Sequence, residues 1–211
     1  LDRTDITVKE MGIYGARYPV EHVPYAGNGI PREIYDTAVY TLECCMHEHY
    51  EDCPWREQSM YIMDTRSQML CGYYAFDNPE CALSAIRLMA AGQKENGLFE
   101  LCFPAEVPIT IPSFSLAFTT VVLEYTQFAK DCALAKEMLP VIEKMLGFFL
   151  SRLDGDGLFK TVSEEGIWHF YEWAGALDGA FFELDGSKKY RNEYDSLINA
   201  FLSIALDNTA K

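Results

Sequence analysis

The stretch richest in reactive groups runs Asp52-Cys53-Pro54-Trp55-Arg56-Glu57-Gln58-Ser59-Met60-Tyr61-Ile62-Met63-Asp64. If a helix begins at Glu57, then Glu57, Met60, Tyr61 and Asp64 fall at i, i+3, i+4 and i+7, which puts two carboxylates and a ring on one face. Asp52 and Arg56 precede that helix in a loop shaped by Pro54. Three carboxylates, a guanidinium and an aromatic ring then converge on one cavity. Cleavage of a glycosidic bond asks for such a set. A carboxylic acid must protonate the leaving oxygen, so its pKa has to be raised by burial or nearby negative charge, and Asp52 and Asp64 offer Glu57 that environment. Further carboxylates accept hydrogen bonds from sugar hydroxyls, Tyr61 or Trp55 stacks on an apolar sugar face, and Arg56 orients a carboxylate by bidentate pairing. The same residues also suit a plainer arrangement: an N-capping acid, a surface glutamate and an arginine that pins a loop.

A second cluster is Trp168-His169-Phe170-Tyr171-Glu172-Trp173. It offers an aromatic wall, with Trp168 or Trp173 against a sugar and Glu172 as an additional carboxylate, although alternating aromatics on a strand are as commonly core. Two other motifs carry less. Cys44-Cys45-Met46-His47-Glu48-His49 with Cys53 has some zinc-like spacing, but the two pairs point in different directions and no spaced CxxC partner appears, so no metal site is assigned. Asp154-Gly155-Asp156-Gly157 fails the calcium-loop pattern and reads as a turn. With no phosphate-binding glycine loop or dinucleotide fingerprint, no cofactor is expected.

The elements that must position these groups are mainly helical. Residues 4–24 are rich in prolines and β-branched residues and read as extended chain, with a turn at Asn28-Gly29. Apolar periodicity then predicts helices over about 31–49, 57–75, 79–91, 113–129, 132–152 and 189–207. Between the third and fourth lies a long Pro- and Gly-punctuated connection, 93–112, with a short strand near Leu98–Cys102; so long a connection in a compact domain usually has work to do, such as lining a cleft. Short strands are expected over 157–172 with a turn at Glu165-Gly166. Consecutive apolar residues at Phe148-Phe149-Leu150 and Ile204-Ala205-Leu206 suit helices buried between neighbours on two sides. Three helical hairpins stand either as a bundle or as a segment of a larger helical barrel.

Composition bounds the partners. The chain has 211 residues, 49% of them hydrophobic, enough for a sizeable core. With 32 acidic and 17 basic residues its formal net charge is −15, and its one basic cluster, Lys188, Lys189 and Arg191, is small. Nucleic acid and anionic membrane surfaces are therefore disfavoured partners. The apolar runs fall far short of the roughly 18 residues of a membrane span, and Leu1 is not a translation start, so a leader or a whole upstream region fits before it. The odd count of seven cysteines reads as mostly reduced thiols, with Cys71, Cys81 and Cys132 acting as small hydrophobes in helices.

The run Asp52-Cys-Pro-x-Arg56-Glu57 leading into a helix resembles the α-L-rhamnosidase-like glycoside hydrolases, which fold as a six-hairpin (α/α)6 barrel. The resemblance implies that Glu57 is the general acid and that Asp52, Arg56 and Asp64 line the pocket and bind rhamnose hydroxyls. Tyr61 stands where that family usually has Trp, and Ile62 and Met63 replace its polar, glycine-containing surroundings. Gly166 to Trp173 is similar to the family's Trp-rich segment ending in Asp-Trp, with Glu172 in place of Asp. On this resemblance residues 1–26 are an extended tail or linker from a preceding β-domain, and 27–211 are the N-terminal half of the catalytic barrel. The fold class is then mainly α, with short β segments at the N-terminus and in connections. The family inverts the anomeric centre, so a water-activating carboxylate about 6.5–9.5 Å from the acid is required, and the resemblance puts it beyond Lys211. The expected activity is removal of terminal α-L-rhamnosyl residues from glycans or glycosides, by a soluble bacterial protein of the cytoplasm or periplasm whose parent chain supplies further domains. Alone, the segment is expected to be inactive. Another exo-glycosidase on the same barrel, or a noncatalytic glycan-binding helical module, are the alternatives.

Overall fold

The computed structural model describes residues 7–27, 29–77, 79–162, 164–175, 177–179 and 194–211. Among these residues there are six helices, α1 (Arg32–Glu43), α2 (Ile62–Ala75), α3 (Glu80–Ala91), α4 (Pro112–Ala129), α5 (Ala133–Leu150) and α6 (Ser196–Thr209). The β structure among them consists of isolated bridges rather than the short strands expected near 98–102 and 157–172. Those connections turn too often, at Gly97, Pro104, Gly157 and Gly166, for a ladder to grow. Residues 4–6, Asn28, the basic cluster and the expected start of the last helix at 189 lie outside the described residues.

α4 is the centre of the molecule. Ile111 in extended conformation and Pro112 at the first turn start it, a proline being preset for that position. Nearly every residue from Pro112 to Val122 is buried, because α4 packs against α2 and α6 on its flanks and α3 and α5 behind. α1 lies against α2, and α3 against α5, so α2, α4 and α6 form one layer and α1, α3 and α5 another. Such alternation of inner and outer helices is that of the first half of an (α/α)6 barrel, not of a closed bundle.

The core is rich in rings. Phe99 and Phe118 sit 4.7 Å apart, and Phe149 lies 5.0 Å from Phe159. Phe148 and Phe149 are buried as expected, but Leu150 is 45% exposed, and on α6 Ile204 and Leu206 face outward around a buried Ala205. Full burial on two sides therefore belongs to α4, whereas α6 has only one packed face. The connection 93–112 is pulled onto α5 at Gly97, whose φ of +97° and a Cβ position 2.4 Å from the Lys144 carbonyl leave room for glycine alone.

Three helix limits differ from expectation by more than two residues; at one of them Tyr194 bridges Lys160 and Asp195 caps the helix, so α6 begins only at Ser196. α1 ends at Glu43, not near residue 49, because the chain turns at Cys44-Cys45 and closes a Met46–Tyr50 bridge, burying Met46 and Tyr50. α2 begins at Ile62, not Glu57, because Gln58 is left-handed and Tyr61 bridges Cys102. The N-terminal stretch is extended as read: Tyr18 N–H donates to the Met46 carbonyl at 2.9 Å, Val23 N–H to Ala75 at 2.9 Å, and His22 bridges Phe76. Residues 7–16 are exposed. All seven cysteines are free; Cys81 is buried, but Cys71 and Cys132, expected in apolar surroundings, are exposed, Cys71 on the outer side of α2 and Cys132 at the N-cap of α5.

Candidate active site

Residues 52–59 form a closed loop. Asp52 N–H donates to the Ser59 carbonyl at 3.0 Å, and Ser59 N–H returns to Asp52 Oδ1 at 2.9 Å. Glu57 N–H is turned back onto Cys53 Sγ at 3.4 Å, and Gln58 adopts a left-handed φ of 51°. A left-handed residue interrupts a helix, and Tyr61 is then drawn into a bridge with Cys102 before α2 starts. Glu57 and Asp64 are thus not on one helical face; Glu57 stands in the loop and Asp64 in the first turn of α2. The loop nevertheless returns Glu57 to Tyr61, whose hydroxyl donates to Glu57 Oε2 at 2.6 Å, while Arg56 Nη2 donates to Oε1. The carboxylate that Arg56 holds is therefore that of Glu57, through one oxygen rather than as a fork.

The second aromatic segment docks on the start of α4. Thr110 N–H donates to the Gly166 carbonyl at 2.7 Å and Trp168 N–H to the Thr110 carbonyl at 2.9 Å, a parallel bridge across Thr110 and Ile167. Gly166 makes this approach at φ +78°, with a Cβ position only 2.7 Å from the Pro108 carbonyl. Ser113 Oγ then holds the Phe170 carbonyl at 3.0 Å. Trp168 packs on Phe170 at 4.7 Å and is 5% exposed, whereas Trp173, 5.0 Å from Phe170, is 67% exposed. Glu172 is exposed, and its Oε1 accepts from Trp173 N–H at 2.6 Å.

Between these two segments, over the N-terminal ends of α2 and α4, lies a cavity of about 840 Å³. Asp52, Arg56, Glu57, Tyr61 and Asp64 line it from one side, and Trp168, Glu172 and Trp173 from the other. Eight of the residues singled out in the sequence thus share one hollow, of a size that takes a small ligand. Trp55, expected with Tyr61 as a stacking ring, is not among the lining residues and is 90% exposed. His169 is buried, its Nε2 3.0 Å from the Val162 carbonyl.

The third wall comes from the 93–112 connection, which was expected to line a cleft, although none of its residues was singled out. Leu101, Val107, Ile109 and Ile111 of the long connection, with Phe114, Met63 and Ser67, complete the lining. A signal for it exists: Val107, Ile109 and Ile111 alternate, with Thr110 buried on the opposite side, which is the period of one face of extended chain. Tyr171 also lines the cavity, its hydroxyl held by Asp195 Oδ2 at 2.7 Å, the residue that caps α6. Among the described residues no group of three His, Cys, Asp or Glu side chains is placed to hold a metal ion.

The electrostatics invert one expectation. Glu57, expected to have a raised pKa, is instead held below the ordinary glutamate range, first by the Tyr61 hydroxyl and then by Arg56, both of which bond its ionised form. The carboxyl pushed upward is Asp64. Asp64 is exposed at the cavity mouth, yet the surrounding walls remove part of its hydration, and the charges of Asp52, Glu57 and Glu172 add repulsion; its own helix-start N–H opposes them without prevailing. Ionised Asp64 is therefore disfavoured by folding. Its contribution supports the fold when protonated and turns against it as pH rises through the raised pKa. Asp64→Asn, uncharged at every pH, is expected to melt above the wild type at pH 7, with the gap closing below about pH 4, where an ordinary aspartate is also neutral. Thermal melts across that range check it, and an Asn variant that melts lower at pH 7 would show that the carboxylates do not strain the site.

The chain matches the profile of the bacterial alpha-L-rhamnosidase 6 hairpin glycosidase domain over residues 29–211. Among solved structures it is similar to the GH78 family rhamnosidase of Bacillus sp. GL1, at 22% identity and a TM-score of 0.75, over 92% of this chain and 19% of that one. It is similar also to the rhamnosidase from Klebsiella oxytoca with rhamnose bound, at 25% identity and a TM-score of 0.68, over 92% of this chain and 35% of that one. The chain thus spans well under half the length of either. No curated protein matches it. Among the described residues no helix is long and apolar enough to cross a membrane.

Proposed function

The chain belongs to the bacterial alpha-L-rhamnosidase 6 hairpin glycosidase domain family, and from that membership we propose that its parent enzyme removes terminal α-L-rhamnosyl residues from glycans or glycosides, inverting the anomeric centre. In this reading Glu57 protonates the glycosidic oxygen. Asp52, Arg56 and Asp64 hold the sugar hydroxyls, Tyr61, Trp168 and Trp173 contact its apolar face, and Glu172 accepts a further hydroxyl. The carboxylate that activates water comes from the parent chain beyond residue 211, and residues 1–26 lead in from a preceding domain.

The observation that carries the reading is the cavity itself, which gathers four carboxylates and an arginine together with an aliphatic wall of Leu101, Val107, Ile109 and Ile111. A 6-deoxy sugar has that division, with hydroxyls around most of its ring and a methyl group at one end. The bound rhamnose named for the Klebsiella oxytoca relative supports the same substrate class. As found, Glu57 is ionised, so it must take up its proton as the sugar displaces water from around it. Asp64 is a second reading for the proton donor, favoured by its already raised pKa.

The test is hydrolysis of a panel of terminal glycosides by the full-length protein, with the first-formed anomer followed by proton NMR. Release of β-L-rhamnose from an α-L-rhamnoside is expected. Release of the α-anomer would overturn the inverting mechanism, turnover of a different sugar would move the enzyme to another exo-glycosidase, and binding without turnover would make it a glycan-binding module.

A further inference from the structure

Trp55 stands on the loop that carries Glu57, yet outside the cavity that Glu57 lines, with 90% of its surface open to solvent. Its Cα lies no more than about 7.6 Å from that of Glu57, two peptide units away. The loop beneath it is braced. Asp52 and Ser59 close its base through two hydrogen bonds of 3.0 and 2.9 Å, the Gln58 side chain donates to the Pro54 carbonyl at 3.3 Å, and Pro54 fixes the backbone just before the indole. The ring is thus displayed on a rigid support, so little freedom is lost when something packs on it.

Resting on the reading of Glu57 as proton donor, we propose that Trp55 is a specificity-determining platform for the leaving group of the substrate, taking a ring with an apolar face. The chemistry sets the direction. A proton donor addresses the oxygen that joins the terminal sugar to the rest of the substrate, so it marks the boundary between the two. Groups on its cavity side face the terminal sugar, and groups on its solvent side face what departs. Trp55 is open to solvent, does not line the cavity, and its Cα lies within about 7.6 Å of that of the donor. Both an aromatic aglycone and a second sugar present an apolar face on which an indole stacks.

The experiment compares two α-L-rhamnosides whose leaving alcohols are electronically alike, ethyl and 2-phenylethyl, together with a rhamnosyl disaccharide, on the full-length enzyme. The wild type is expected to prefer the ring-bearing leaving groups through KM, and Trp55→Ala to reduce that preference in kcat/KM about 5- to 30-fold. Trp55→Phe is expected to restore part of it. Loss of preference for the phenylethyl compound alone assigns the platform to aromatic aglycones, and loss for the disaccharide alone assigns it to sugars. A preference unchanged in Trp55→Ala, or equal loss on all three substrates, overturns the platform while leaving Glu57 in place. A full-length enzyme that turns over none of them overturns the reading of Glu57 and this inference together.

Discussion

Glu57→Gln in the parent enzyme is expected to lower kcat on an alkyl α-L-rhamnoside by about 10²- to 10⁴-fold, and by much less on a rhamnoside with an electron-poor phenol as leaving group. An alkoxide departs only if protonated, whereas an acidic phenol departs largely unaided, so the contrast between substrates reports the proton donor rather than damage to the pocket. The glutamine retains the shape and the partner of the Tyr61 hydroxyl, which lies 2.6 Å from Glu57 Oε2. Its lowered pKa bears on the same variant. Glu57 contributes to stability while ionised, above the ordinary glutamate pKa, and that contribution fades as pH falls through its lower folded value. The variant should therefore lose a little stability at neutral pH and none in strong acid. Asp64→Asn is the comparison: its loss of rate should be the same for both leaving groups. If the leaving-group contrast appears in Asp64→Asn and not in Glu57→Gln, the donor is Asp64, whose pKa is raised before any sugar enters.

The largest expected effect on folding is Phe118→Ala. Phe118 is 0% exposed at the middle of α4, the helix against which α2, α3, α5 and α6 all pack, and its ring lies 4.7 Å from that of Phe99. Deleting a buried ring removes its transfer energy and leaves a hole that the surrounding helices cannot fill, at a cost of about 3–5 kcal/mol. That is a large share of the roughly 5–15 kcal/mol that holds a typical domain together. Urea denaturation should show the midpoint fall with the slope unchanged. A cost below about 1 kcal/mol would mean that α4 repacks freely, against its burial. Phe99 belongs to the connection that continues into the aliphatic wall, so partial folding of this variant should also show as weaker sugar binding.

Much of the helical frame was legible because it is local. α3, α4 and α5 fall within a residue or two of their expected limits, since Pro79, Pro112, the apolar periodicity and the turn signals around them act over a few residues. The eight residues that share the cavity were legible as well, through residue type, close spacing and resemblance. Less of the site's geometry was. A helix starting at Glu57 was a fair reading of the spacing, but the ties that prevent it are a left-handed Gln58, a Ser59 claimed by Asp52 and a Tyr61 paired with Cys102. The last of these joins residues about 40 positions apart, and no local period encodes it.

What the amino-acid order settled by itself is therefore the inventory: an acidic, mainly helical chain with its carboxylates and rings concentrated in two short segments and its helix limits marked by proline and glycine. Tertiary structure decided which of these groups face one another and in what charge state. The Thr110–Ile167 bridge brings the second segment over α4, the third wall comes from the long connection, and only then do the charges of Asp52, Glu57 and Glu172 fall on a partly desolvated Asp64 while Tyr61 and Arg56 hold Glu57 ionised. The physical reason is one of range. Helix propensity and turn chemistry act through neighbours in the chain, whereas a pKa depends on burial and on charges in space, and neither exists until distant segments have packed.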